Sequence, residues 1–247
     1  MDDLIARYLS SLRYERNASL HTIRNYQSDL EQFRDYLKQT RQSNGPVKVE
    51  AVDAVQIRGF LGHLFERKRQ KSSAARKLAA IRSFFKFLCR EEILAGNPAA
   101  RVSTPKRPQK LPRIMTEEQT NNFLDQIARD AETGDATLVR DRAILELLYA
   151  SGLRVSELAG LNLRHIQIGE GMVLALGKGR KERIVPFGSK ARNALVNYLP
   201  VRDKLLRDCR TSNSALFLNS KGGRLTTRSV HRIVRKYIRL SGLNLRV

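Results

Sequence analysis

Four prolines fall within NPAARVSTPKRPQKLPR, residues 97–113, and they divide the chain. Each proline removes a backbone donor and fixes φ, which excludes the stretch from helix interiors and central strands. It also holds five arginines or lysines and no acid. The reading is an extended basic linker between two separately packed cores. The boundaries expected are a first domain over 1–104, a linker over 105–113 and a second domain over 114–247. With 247 residues, 41% of them hydrophobic, the chain has enough apolar material for two modest cores.

Hydrophobic spacing sets the class of each domain. In SLHTIRNYQSDLEQFRDYLKQ, the residues Leu20, Ile23, Tyr26, Leu30, Phe33 and Leu37 recur at steps of three and four behind Ser19, a plausible N-cap. SSAARKLAAIRSFFKFLCREE repeats the pattern with Leu78, Ile81, Phe84 or Phe85, and Leu88. DAVQIRGFLGHLFERK makes a shorter helix between them, and an opening helix over 3–12 brings the number to four. The first domain is therefore expected to be all-α. In the second, TEEQTNNFLDQIAR starts at a Thr116 N-cap, and DATLVRDRAILELLYASG is a helix ended by Gly152. VSELAGL is a short helix. HIQI, MVLALG and RIVPF are then β-runs, with GKGRKE as a hairpin turn. GSKARNALVNYLPVRDKLL and TTRSVHRIVRKYIRLSG return to helix around a short apolar run, ALFLN. The fold class expected is multi-domain: a four-helix all-α domain, then a mixed α/β domain that is mainly α with a small β-sheet.

Charge narrows the partner. Lys+Arg number 46 against 24 Asp+Glu, a net of +22. Residues 1–104 carry 19 basic and 11 acidic side chains, and residues 105–247 carry 27 and 13. So much positive charge repels itself unless a polyanion is near. Double-stranded DNA is the first candidate, and two basic halves suit a clamp that grips it from both sides. No apolar run reaches membrane-spanning length, and MDDLIARYLSS lacks a signal-peptide pattern, so the expectation is a cytoplasmic protein with no membrane partner. RNA is disfavoured: there is no Trp, and the nine Phe are spread through core positions. Cys89 and Cys209 have no CxxC spacing, and His21, His63, His165 and His231 have no metal-ligand spacing. The residues offer no metal-ligand set.

Two short stretches carry the chemistry. In YASGLRVSELAGL, Arg154 follows the glycine break and Glu157 stands three residues on. Taken locally, this is either a solvated ion pair, the commoner case, or a guanidinium held from behind as a fork for phosphate oxygens. In LGKGRKER, Lys178 sits at a hairpin tip between glycines, either as a solvated turn residue or as a proton donor reaching into a groove. A phosphate-binding glycine loop is excluded there, because no Ser or Thr follows the lysine and no helix follows the turn. Basic clusters add candidate DNA contacts. They are RKRQK at 67–71, Lys77, Lys106, Arg107, Arg180, Lys181 and Arg183, with Arg228, Arg232, Arg235, Lys236 and Arg239 along one side of the last helix.

Together these stretches resemble a known family. LLYASGLRVSELAGL followed by LALGKGRKERIVPFG is similar to the first arginine box and the lysine hairpin of tyrosine recombinases, nearest to the bacterial Xer group. SFFKFLCREEILAGNPA and RLTTRSVHRIVRKYIRLSGLN extend the likeness over the whole chain. The resemblance implies a four-helix core-binding domain and a catalytic domain closed round DNA. It implies DNA cleavage and rejoining through a 3′-phosphotyrosine, with no cofactor, by a homo- or hetero-tetramer on two duplexes. Arg154 would stabilise the phosphate, Glu157 would orient it, and Lys178 would protonate the leaving 5′-oxygen. In the family, a His-x-x-Arg box and the tyrosine nucleophile follow the point where SGLNLRV ends this sequence. The expectation is a truncated chain with no nucleophile, inactive for cleavage. The alternative is a DNA-binding homologue or partner subunit that does not cut.

Overall fold

The computed structural model describes residues 1–40, 45–67, 70–105, 114–177 and 181–242. The chain divides into two compact units, Met1–Lys110 and Leu111–Val247.

Among the described residues the first unit holds four α-helices: α1 (Asp2–Tyr14), α2 (Leu20–Thr40), α3 (Ala54–Glu66) and α4 (Lys71–Arg90). Their starts follow from local side-chain chemistry. Ser19 Oγ accepts the Thr22 N–H at 3.2 Å ahead of α2. Asp53 and Gln56 exchange side-chain and backbone bonds at the start of α3, satisfying two donors the helix leaves open. The periodic residues Leu30, Phe33, Leu37, Leu78, Ile81 and Leu88 are fully buried. Phe84 and Phe85 are both fully buried as well, because α4 packs against α1, α2 and α3 and so has more than one covered face. Leu20, at the first turn of α2, stays 62% exposed.

Two expectations for this unit are corrected. Lys77, placed above among the DNA contacts, is buried. Its Nζ donates to Asp29 Oδ1 at 2.8 Å and to Gln32 Oε1 at 2.9 Å. It precedes Leu78 on the side of α4 that meets α2, so its charge is satisfied inside the unit. The Asp29 carboxylate, fully buried, also accepts from Arg76. The second correction concerns the stretch read as extended from Asn97 on. Residues 98–101 form a turn, and Ala99 and Val102 are buried. Arg82 holds this turn through the Ala99 carbonyl (3.1 Å), the Val102 carbonyl and Thr104 Oγ1 (2.8 Å). One guanidinium thereby supplies the donors that a regular element would have supplied. Lys106 and Arg107 lie outside the described residues.

The second unit is mainly helical with a small sheet. Its elements are α5 (Glu117–Ala131), α6 (Ala136–Ser151), α7 (Val155–Gly160), β1 (Ile166–Gln167), β2 (Met172–Leu176), β3 (Glu182–Pro186), α8 (Ser189–Asp208) and α9 (Thr227–Leu240). Thr116 and Gln119 form a capping box at α5. The strands run antiparallel in the order β1-β2-β3, with Val173 opposite Val185 and Ala175 opposite Arg183. Val173 and Ala175 face the core, while Ile184 points outward. Helix α6 packs against α5, α8 and α9, and is covered on nearly every side. That explains why Asp141 and Glu146 are buried beside Ala143, Ile144 and Leu147. Arg202 of α8, 2% exposed, donates to the Ala215 carbonyl at 2.9 Å and ties the buried run 215–218 to the helix. Both units thus have the class predicted by their apolar periods. Among the described residues no helix is long and apolar enough to cross a membrane.

Candidate active site

Gly152 sets the direction of the chain into the site. It ends α6 at φ 59°, a left-handed conformation that a residue with a Cβ reaches only with strain. The next turn places Leu153 in the core and Arg154 at the surface, immediately ahead of α7. Glu157, at the third position of α7, folds back toward the start of its own helix. Its Oε2 accepts the Arg154 backbone N–H at 2.9 Å, and its Oε1 accepts Arg154 Nη1 at 3.0 Å.

A second arginine completes the group. Arg183 of β3 sets a two-pronged fork on the same carboxylate, Nη1 to Oε1 at 2.9 Å and Nη2 to Oε2 at 2.7 Å. The Glu157 side chain is 3% exposed, and Arg154 and Arg183 are 72% and 41% exposed. The Arg183 fork is the leading cause that pulls the Glu157 carboxyl down to about 2, assisted by the two Arg154 bonds against the opposing effect of burial. The carboxylate is therefore ionised at any physiological pH. Among the described residues, Arg154 Nε and Nη2 meet no acceptor, so this guanidinium keeps an outward-facing edge able to bind an anion.

The hairpin base lies against the same carboxylate. A Cβ built on Gly177 would stand 3.7 Å from Glu157 Oε1, 3.4 Å from Arg183 Nη1 and 3.3 Å from the Lys181 carbonyl. The Gly177 N–H donates to that carbonyl at 2.8 Å, closing the β2–β3 ladder. Lys178 and Arg180 lie outside the described residues. Lys181 is exposed.

The remaining candidates are on α9. Arg228, Arg232, Arg235, Lys236 and Arg239 are all exposed, opposite a buried face of Val230, Ile233 and Tyr237. Sequence reasoning missed what fixes this helix. Arg224, just ahead of it, donates to the Ala159 and Leu161 carbonyls at 3.1 and 2.9 Å, and also to Asn162 Oδ1. It satisfies carbonyls at the end of α7, and so ties α9 to the helix that carries Glu157. The sequence offers no signal for this, because the two partners are more than sixty residues apart.

The tyrosines of this unit differ in role. Tyr198 is buried, and its hydroxyl accepts the Leu218 N–H at 3.1 Å. Tyr237 is buried and donates to Asp141 Oδ2 at 3.3 Å; burial and that carboxylate push its phenol far up. Tyr149 is 54% exposed, since it lies at the last turn of α6 where the helix meets solvent. Among the described residues no cluster of three His, Cys, Asp or Glu could hold a metal ion.

Comparison with known proteins places this chain in a family. Residues 113–247 match the model of the phage integrase family, and residues 5–92 match that of the phage integrase N-terminal SAM-like domain. The chain is 40% identical to the tyrosine recombinase XerC of Syntrophus aciditrophicus, over 98% of this chain and 79% of that protein. It is 38% identical to the XerC of Thermodesulfovibrio yellowstonii, over 97% of this chain and 76% of that protein. In fold it is similar to the XerH site-specific recombinase solved on a palindromic difH substrate. The TM-score is 0.73 at 21% identity, covering 98% of this chain and 69% of that one. The chain belongs to the phage integrase family, among the Xer-type tyrosine recombinases.

Proposed function

We propose that this protein breaks and rejoins double-stranded DNA at specific sites. Arg154 would bind the scissile phosphate, Glu157 would orient Arg154, and Lys178 would protonate the leaving group. The observation that carries the reading is the Arg154 guanidinium, anchored through Nη1 to a buried carboxylate while its other edge faces solvent. A phosphoryl transition state gathers charge on non-bridging oxygens, and a pre-set cationic donor there needs little reorganisation. A tyrosine phenol would give up its proton to water and attack phosphorus as the P–O5′ bond breaks, and the 5′-oxygen would take a proton from Lys178. The reverse step, with a 5′-hydroxyl of a partner strand, restores the diester, so the step needs no cofactor. Exposed cations on α9 and Lys181 would add phosphate contacts, and Lys106, Arg107 and Arg180 are further candidates. Recombinase subunits would act as a homo- or hetero-tetramer on two duplexes. The domain division proposed remains 1–104, 105–113 and 114–247.

No tyrosine of this sequence is assigned as the nucleophile. A second reading is a DNA-binding partner that does not cut; the hydroxyls of Tyr198 and Tyr237 are committed to Leu218 and Asp141. The two separate on a nicked suicide duplex incubated with the protein produced from its own gene in its own host. A covalent adduct, lost in Arg154→Ala with duplex binding retained, supports cleavage. Sequence-specific binding with no adduct replaces it by the second reading. Normal cleavage by Arg154→Ala would remove Arg154 from the mechanism.

A further inference from the structure

A carboxylate bound only to Arg154 would make a neutral pair, with little pull on a phosphate. The structure supplies a second cation. Glu157 carries one negative charge and two arginines, so the group retains a net charge of +1. The division of bonds decides where that charge lies. Arg183 takes the paired geometry, one N–H to each oxygen at 2.9 and 2.7 Å. That arrangement matches the planar fork of a guanidinium to both carboxylate oxygens, and is the stronger mode. Arg154 reaches the carboxylate with one side-chain nitrogen, at 3.0 Å. Its charge is the less neutralised of the two, and its side chain is the more exposed.

We propose that Arg183 is a positioning residue of the active site: by neutralising Glu157 from β3, it leaves the charge of Arg154 available to the phosphate and fixes the base of the lysine hairpin beside it. This rests on the reading of Arg154 as the phosphate ligand. It revises the role of Arg183, which the sequence suggested as a direct DNA contact. Two observations support it. Arg183 leads the interactions that hold Glu157 ionised. A Cβ built on Gly177, the residue before Lys178, would come into ordinary van der Waals contact with Glu157 Oε1 and Arg183 Nη1, so the base of the hairpin lies within one side-chain atom of both. The hairpin and the Arg154 turn therefore meet at one carboxylate, and a change in Arg183 acts on both.

The test requires no cleavage. The full chain is used to select a bound duplex from a random pool. Single methylphosphonates, which replace a charged phosphate oxygen by a methyl group, are then scanned along both strands. At the phosphate that Arg154 binds, the substitution should weaken wild-type binding roughly tenfold, the scale of a lost charge-assisted bond. In Arg154→Ala that one position should become insensitive while the others keep their penalties. The proposal expects Arg183→Met to lose sensitivity at the same position, with the rest of the interference pattern intact. Arg183→Lys, which keeps the charge and one bond to Glu157, should restore part of it. A merely structural role would instead lower affinity for every duplex alike and leave the pattern unchanged. If Arg183→Met loses a different position, Arg183 contacts DNA directly and the proposal fails. If Arg183→Met keeps a position that Arg154→Ala loses, the proposal fails while the reading of Arg154 stands. If Arg154→Ala loses no position, that reading has failed and the positioning role falls with it.

Discussion

Arg154 and Arg183 share one oxygen of Glu157: the Nη1 atoms of both reach Oε1, at 3.0 and 2.9 Å. The first arginine precedes a short helix and the second lies in a strand, 29 positions later in the chain. Two cations at one carboxylate repel each other, and the arrangement holds only while Glu157 is ionised.

Glu157→Gln tests that dependence. The amide has one oxygen to accept with, and its NH₂ group faces donors. Removing the charge should cost about 1–3 kcal/mol, below the 3–5 typical of a fully buried broken pair, because both arginines retain access to water. Urea unfolding should show a lower midpoint with an unchanged slope. An unchanged midpoint would mean that the three-residue group contributes nothing net.

Gly152 is tested by size and shape together. Nothing lies within 4 Å of a Cβ built there, so the cost of a side chain is conformational alone. Gly152→Ala should destabilise by roughly 1 kcal/mol, and Gly152→Asn by less, since asparagine tolerates the left-handed region. Gly152→Val should cost more than either. If all three cost the same, the left-handed conformation at the end of α6 is not what the glycine is for.

These two sites show what was legible in the sequence. Gly152 was readable as a helix end because a glycine closes a periodic run there. The pairing of Arg154 with Glu157 was readable because it is local, three residues within one turn. Arg183 was readable only as a basic residue. Its bond to Glu157 spans 26 positions and depends on how β3 folds back on β2. The burial of Lys77 was hidden for the same reason, since its partner Asp29 lies on another helix, 48 positions away. The elements themselves were clear, because apolar period and capping residues are local signals. The tertiary destination of a charge is not, and in a chain with 46 basic residues most of them read alike.

The buried pair of Lys77 and Asp29 makes a stability prediction for the first unit. Asp29→Asn leaves the Lys77 ammonium 6% exposed with a neutral partner, and should cost about 3 kcal/mol. Replacing both, as Asp29→Leu with Lys77→Met, should recover much of that loss, because apolar residues of similar volume pay no desolvation cost. Urea unfolding of wild type, Asp29→Asn and the double variant reads both values. A double variant as unstable as Asp29→Asn would show that the bonds to Gln32 and Arg76 matter more than the charge pair.

His165 gives the second unit a pH dependence whose sign follows from its surroundings. It is 7% exposed, and its Nδ1 accepts the Asn162 N–H at 3.1 Å, which requires the neutral ring. Burial comes first and the neighbouring Arg164 charge second in holding its pKa below 6.5; Arg224 acts in the same direction and Glu182 opposes them. The unfolded chain therefore binds this proton more readily than the folded one. The stability contributed is fully present above pH 6.5, and is lost as pH falls through the lowered folded value. His165→Gln removes the titration while leaving an oxygen to accept the same N–H. The stability difference between wild type and this variant should be constant from pH 8 to 7, then shift against wild type on acidification below 6.5. A difference that stays flat to pH 5 would mean that the folded and unfolded chains bind this proton equally well, so that neither burial nor the bond to Asn162 opposes it.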